Sequence, residues 1–412
     1  MVKLSLLIFL SVSFISASAQ EHNLDYYISV GIQNSPLLRD YYYQQQNNSI
    51  DSMRLLAGLK PQVTGVSINS YAPVIAGYGY DDAITNIGNF SEQVTASKQL
   101  VSKKNLQNQV QAIQLLTTSL HITGKIAEQD LKRTIIAQYI NAFGTWQQYS
   151  FNKEVYELLS KEDTILKKLT QSSVYRQTDY LTFLVTMQQQ HLSVTQARNQ
   201  YQNEYATLNY LCGLFDTSLV ALAPPSIEMN DLPVAEHTVY YEKFSVDSLV
   251  LKTNDAQIDF SYKPKVNLYA DAGFVSSLQY LPYKNFGASF GINLSVPIYD
   301  GKQKKMQHDK IAIAEQTRQT YRDYFVTQYK QQTAQLFQQL NSIEELINET
   351  NSQLKFSAGL MQANAKLMAT GDVRIADYVI AINNYLNAKN IVTQNTVSKM
   401  QIITQINYWN RQ

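Results

Sequence analysis

The chain has 412 residues, a net charge of +1 and only 16% charged residues, well below the roughly 25% of an average soluble domain. That balance excludes a nucleic-acid surface built on basic charge. Polarity is carried instead by Gln, Asn, Ser, Thr and 29 Tyr.

The N-terminus reads as a secretory signal peptide over residues 1–19. Lys3 supplies the positive end, Leu4 to Ile15 is apolar, and Ala17-Ser18-Ala19 is a small-x-small cleavage site. No cysteine follows it to carry a lipid. The one cysteine, Cys212, sits in a Leu-Cys-Gly-Leu run and reads as a buried, inert thiol. After the signal no run approaches the roughly 18 to 20 apolar residues of a membrane helix. A membrane role would therefore use strands.

The mature chain reads as two copies of one pattern. The first, 20–223, has a helix, a strand pair over 61–100 and a helical hairpin over 102–213. A linker over 224–238 leads to the second, 239–412, with a helix, a strand pair over 264–300 and a hairpin over 302–412. All nine prolines fall outside 74–223 and 298–412, so these runs are free of the residue that costs ~3 kcal/mol inside a helix. Each run is expected to turn once, near Gln171 to Thr178 and near Ala369 to Asp372, giving arms on the order of 50 to 100 Å. Val379, Ile382, Leu386, Val397 and Met400 keep helical spacing.

The strands show period-two alternation. Val266, Leu268, Ala270, Ala272 and Phe274 are apolar at alternate places, as are Phe286 through Ile298, against Gly287, Ser289, Gly291, Asn293 and Ser295. The latter pattern lasts 13 residues, beyond the roughly 9 to 11 of a tilted membrane strand. The first copy is less regular. Val94, Ala96 and Leu100 share their face with Glu92 and Lys98, which places Lys98 at one membrane edge and Glu92 near the other. Tyr71, Tyr78, Tyr80, Tyr280 and Tyr283 suit an aromatic girdle at strand ends.

The copies align without a gap from about residue 97. Ser97 pairs with Ser295, Lys104 with Lys302, and Gln109 with Gln307. Arg176, Asp179 and Tyr180 return as Arg374, Asp377 and Tyr378, and Asn209-Tyr210 as Asn407-Tyr408. A register held this long indicates one repeated unit of long helices. Upstream it slips: Pro61 to Ser97 is 36 residues and Pro264 to Ser295 is 31, so the first strand loop is longer by five.

Four strands cannot close a barrel, and an open edge in hydrocarbon leaves backbone groups unpaired. Two chains would give 8 strands with a filled interior, and three would give 12 with room for a pore. The alternative is a soluble sandwich with its polar face outward.

This order of segments resembles the TolC family of outer-membrane efflux proteins along the whole mature chain. Asn34-Ser35-Pro36 resembles the family's entry motif, and Pro61 and Pro264 fall where its first and third strands begin. Leu294-Ser295-Val296-Pro297-Ile298-Tyr299-Asp300-Gly301 resembles its strand-to-helix junction, with Lys302 replacing a second Gly. The resemblance implies a mostly α fold with membrane β structure: coiled-coil hairpins forming a periplasmic α-barrel, and four strands per chain in a homotrimeric 12-stranded β-barrel. It implies an exit duct in the bacterial outer membrane, surrounded by outer-membrane lipid. Its partners would be a periplasmic adaptor and an inner-membrane RND or ABC transporter that supplies the energy. A periplasmic coiled-coil scaffold without a pore and a passive porin are the alternatives.

The resemblance also places a constriction at the hairpin ends. Asp377 matches the first of the family's paired acids, while the second falls on Ile380. Thr178 and Asp179 match its bridging pair. The basic partner is expected at Val373, and Arg374 stands one place later, with Arg176 its mate. Arg374 therefore pairs either with Asp179 across hairpins or with Asp377 within its own, as Arg176 would with Asp179. Tyr180 and Tyr378 either narrow the aperture or pack the ends. No enzyme, metal or cofactor is expected. His22, His121, His191, His237 and His308 are scattered, and no Gly-x-Ser-x-Gly or Walker-type motif occurs.

Overall fold

A computed structural model describes residues 23–81, 86–216, 218–277 and 281–409. The expected signal peptide, Asp82 of the first strand loop and Tyr280 of the girdle lie outside these residues. The elements in order are α1 (Leu24–Asn34), α2 (Pro36–Gly58), β1 (Gln62–Ala72), β2 (Ile87–Leu100), α3 (Lys103–Gln171) and α4 (Gln177–Leu211). The second copy follows with α5 (Val239–Ser261), β3 (Lys265–Ser276), β4 (Phe286–Ser295), α6 (Gln303–Thr370) and α7 (Ile375–Trp409). No described helix is long and apolar enough to cross a membrane.

The internal repeat is visible in the element bounds. Helices α4 and α7, of 35 residues each, start and stop 198 residues apart. Helices α2 and α5, of 23 residues each, are related by 203 instead. The five extra residues fall in the loop between β1 and β2. Helix α1 has no α-helical counterpart, and its equivalent stretch holds neither α-helix nor strand, only a short 3-10 turn at Ala235–His237.

Local chemistry sets the ends. Asn23 caps α1 by accepting the Tyr26 N–H at 2.9 Å. Pro36 then opens α2, where a missing N–H costs nothing, and forces Ser35 into an extended conformation. Asn34, beside this break, donates its amide to the Cys212 carbonyl at the end of α4, 2.9 Å away. Cys212 is fully buried, and desolvation pushes its thiol up to about 11.

The chain divides into two compact units. One holds the described residues up to 35 with 129–232 and 333–409, and the other holds 36–128 and 233–332. The first is a helical unit with cores around Tyr139, Tyr201 and Leu208, around Leu159, Phe183 and Ile382, and around Leu336, Leu340 and Ile406. Gly144 on α3 lets α7 approach closely, because a Cβ there would lie 2.6 Å from Val397 Cγ2.

The second unit carries the sheet, an antiparallel meander in the order β1-β2-β3-β4. Its helices join through Asn108, which donates to the Thr253 carbonyl and to Gln257, and through His308, 2.6 Å from Asp255. The register puts Val63, Ala96, Ala270 and Phe290 in one row, and Lys98, Leu268 and Ile292 in another row of the same face. The opposite face carries Thr64, Thr95, Asp271 and Ser289. The apolar face is uncovered: Phe290 is 90% exposed and Ile292 71%. Glu92 lies on it, with its carboxylate accepting from Ser67 at 2.7 Å and Asn69 at 3.0 Å.

One strand is shorter than its alternation suggests. Strand β4 ends at Ser295 rather than continuing through Ile298. Pro297 has no N–H to donate to a ladder, and it restricts Val296 before it.

Candidate functional site at the hairpin ends

Both hairpins turn with the same backbone motif. Helix α3 ends with Ser173 N–H donating to Thr170 O and Val174 N–H to Leu169 O, at 3.1 and 3.0 Å. Helix α6 ends with Gly371 N–H to Met368 O and Asp372 N–H to Leu367 O, at 3.2 and 2.9 Å. These are paired carbonyl caps that need one left-handed residue. Ser173 fills that place at φ 62° and Gly371, its repeat mate, at φ 86°. The difference has a packing reason, since a Cβ on Gly371 would sit 2.8 Å from Val174 Cγ1 of the other turn.

After each turn the copies diverge. Tyr175 is buried, and its hydroxyl is shared between the carbonyls of Met368 at 2.9 Å and Val373 at 3.0 Å. Val373 is the repeat mate of Tyr175, so one copy's tyrosine fastens the other copy's turn. Around it pack Leu166, Phe183, Met368 and Ile375.

The expected site residues are distributed as follows. Arg374 is engaged with Asp377 in a two-pronged pair, Nε to Oδ2 and Nη2 to Oδ1, both at 2.9 Å. The guanidinium is exposed, and the carboxylate beside it holds its pKa above the usual arginine value. Among the described residues no ion pair joins Arg176 to Asp179. Arg176 precedes α4 with an exposed side chain, Thr178 is exposed, and Asp179 is half-buried in the first turn. Tyr180, half-buried, donates to Asp163 Oδ1 on α3 at 2.8 Å. Tyr378 is fully buried and donates to Glu162 Oε2, also on α3. The two tyrosines, mates in the repeat, thus bind adjacent acids of a single helix.

Glu162 is the only acid or base among the buried polar residues described. Burial raises its carboxyl above the ordinary value, and the Tyr378 hydrogen bond opposes that rise only in part. The mates of Glu162 and Asp163 are Leu360 and Met361, so this acidic pair exists in one copy only. Sequence reasoning passed over Glu162 and Tyr175. The signal was present as an acid and a tyrosine standing where the other copy has Leu360 and Val373.

The first hairpin end also carries an open cleft of about 740 Å³ lined by Lys167, Ser173, Val174, Arg176, Gln177 and Tyr180. Among the described residues no group of three or more His, Cys, Asp or Glu side chains stands together to hold a metal ion.

No family model and no curated protein matches the sequence. Solved structures match the fold along nearly its whole length. CusC, described for conformational changes accompanying folding and transmembrane channel formation, gives a TM-score of 0.75 at 13% identity, over 95% of this chain and 93% of its own. The Campylobacter jejuni CmeC outer membrane channel gives 0.75 at 13% identity, covering 94% and 85%. The open state of the Neisseria gonorrhoeae MtrE outer membrane channel gives 0.74 at 12% identity, covering 94% and 89%. At such identities the likeness is one of fold. This chain's long helical hairpins and four-stranded sheet in an internal repeat follow the fold of these channel structures.

Proposed function

We propose that this chain is a bacterial outer-membrane channel, the exit duct of a tripartite efflux or type I secretion system. The observation that carries this reading is the uncovered apolar face of the sheet, with Phe286, Phe290, Ile292 and Leu294 each more than 60% exposed. In water such a face is unfavourable by roughly 25 cal/mol per Å² of apolar surface. In a bilayer it is matched to its solvent.

The sheet's outer strands, β1 and β4, each have one neighbour. An unpaired edge is not tolerated in hydrocarbon, so the barrel closes between chains, with three chains giving 12 strands and a pore. The polar rows with Thr64, Thr95, Asp271 and Ser289 then line the interior. The helical hairpins form a periplasmic α-barrel whose ends make the entrance, with Asp377, Arg374, Asp179, Thr178, Arg176 and Tyr180 as its constriction residues, while Tyr378, fully buried against Glu162, packs the end instead of narrowing the aperture. The cleft at the first hairpin end, with Arg176 and Lys167 exposed beside Val174, is the docking place for a periplasmic adaptor. The driving energy belongs to an inner-membrane pump. What supports these assignments is the fold shared with outer membrane channels, together with the exposed charged and polar side chains of Arg176, Thr178 and Arg374 at the hairpin ends.

The test is the mass of the detergent-solubilised protein with bound detergent subtracted. Three chains per particle support the reading. A monomer that stays soluble without detergent overturns it in favour of a periplasmic scaffold.

A further inference from the structure

The four places where strands meet helices all lie on one rim of the sheet. The register sets Gln62 opposite Ser97, Leu100 opposite Val266, and Lys265 opposite Ser295. The start of β1, the end of β2, the start of β3 and the end of β4 are therefore level.

That rim is basic. Residues 59–62, 98–104, 261–266 and 296–305 contain nine lysines and one acid, Asp300. The single acid is committed to the backbone, accepting the N–H groups of Lys302 and Lys304 at the start of α6. Lys304 is itself paired with Asp259 at 2.8 Å. Every junction still presents an exposed lysine, among them Lys60, Lys98, Lys263 and Lys305. None of these four forms an ion pair with the described residues. The described residues of the other rim, 73–81, 86, 277 and 281–285, have no such excess, with one aspartate, Asp81, and one lysine, Lys284.

The basic rim is also where the apolar band ends. Lys98 shares its face with Ala96 and Leu100, and the segment after β4 leaves Ile298 96% and Tyr299 86% exposed. Exposed apolar and aromatic groups beside lysines form the arrangement that seats a protein at a membrane surface. The stems lie along the acyl boundary and the ammonium groups reach the headgroup layer.

We propose that this rim is a binding surface for anionic glycerophospholipids of the leaflet on the helix side, with the lysines engaging headgroup phosphates. The inference rests on the reading of the sheet as a membrane barrel. It adds a lipid preference that depends on headgroup charge, located at one rim only. It also supplies an electrostatic seat at the leaflet where the helices leave the bilayer.

Spin-labelled phosphatidylglycerol and phosphatidylcholine, each in turn, report the test in membranes containing the reconstituted protein. The fraction of immobilised label gives the relative association of the two lipids. Phosphatidylglycerol should associate about fivefold more strongly, the preference that one lysine near an anionic surface supplies. The preference should fall toward unity at 1 M salt, where the screening length is about 3 Å. It should survive inorganic phosphate at matched ionic strength, and fall in a variant combining Lys60→Gln, Lys98→Gln, Lys263→Gln and Lys305→Gln. Immobilised lipid without headgroup preference overturns the proposal and leaves the barrel reading standing. No immobilised lipid of either kind overturns both. A preference undiminished in the quadruple variant, or a salt-insensitive preference in the unaltered protein, assigns it elsewhere and overturns the proposal.

Discussion

Tyr378 and Glu162, 216 residues apart in sequence, form a buried hydrogen bond that joins α7 of the second copy to α3 of the first. Both groups are buried, and among the described residues no salt bridge includes Glu162. The neighbouring groups are otherwise engaged. Asp163 takes the hydroxyl of Tyr180 on α4, and Arg374 and Asp377 hold each other. This bond and the Tyr175 hydroxyl on the second turn fasten the two hairpin ends to each other.

The first prediction concerns pH. Desolvation raises the folded-state pKa of Glu162 above its ordinary value, so the folded protein favours the neutral acid. Its contribution is most favourable below the unfolded carboxyl pKa, about 4.3, and is lost as pH rises through the folded value. Glu162→Gln keeps the shape and removes the ionisation. The variant should match the parent in thermal stability near pH 4 and exceed it at pH 7. Lower stability than the parent at pH 7 would mean that the carboxylate is paid for by a contact this structure lacks.

Tyr378→Phe should destabilise the helical unit by about 1–3 kcal/mol, because it strands a buried carboxyl group. Tyr180→Phe, which releases a half-buried pair, should cost less than about 1 kcal/mol. Denaturant titrations of both variants measure the difference, and a cycle with Glu162→Gln isolates the pairwise part.

The two turns should respond in opposite directions. Ser173→Gly removes a left-handed non-glycine residue with an exposed side chain, and should stabilise by up to ~1 kcal/mol. Gly371→Ser adds that conformational cost and drives a Cβ against Val174, so it should destabilise by more than ~1 kcal/mol. Thermal melts of the single variants and of the swapped pair check this.

Arg374→Ser should alter charge more than stability. An exposed ion pair contributes about 0–1 kcal/mol, so folding should be nearly unchanged. Asp377 then loses its cation, and if these ends form the channel entrance it should gain preference for cations over anions, read as a shift in reversal potential under a salt gradient. An unchanged reversal potential and conductance would remove this pair from the constriction.

Much of this organisation was legible in the chain. The 198-residue register, read from pairs such as Asp179 and Asp377, is repeated in the bounds of α4 and α7. The alternation around Ala270 and Phe290 reported the strand faces correctly, because period two is a local property. Strand β4 stopped short because backbone donors, rather than side-chain polarity, end a ladder, and Pro297 supplies none. Glu162 escaped notice because an acid in a polar helix reads as solvated. Its burial goes with its contact to Tyr378, which only the packing of two hairpins brings to it. The adoption of the Arg374–Asp377 arrangement over a reach to Asp179 was likewise open in sequence, since both partners lie within an arginine's length of a helix start.

Planar-bilayer recording with the purified, detergent-solubilised assembly tests for the shared pore itself. If three chains close a 12-stranded barrel around a pore, additions of protein produce discrete and uniform conductance steps, and Asp377→Asn changes their size or ion preference. A membrane that stays silent while the protein remains folded would contradict the account.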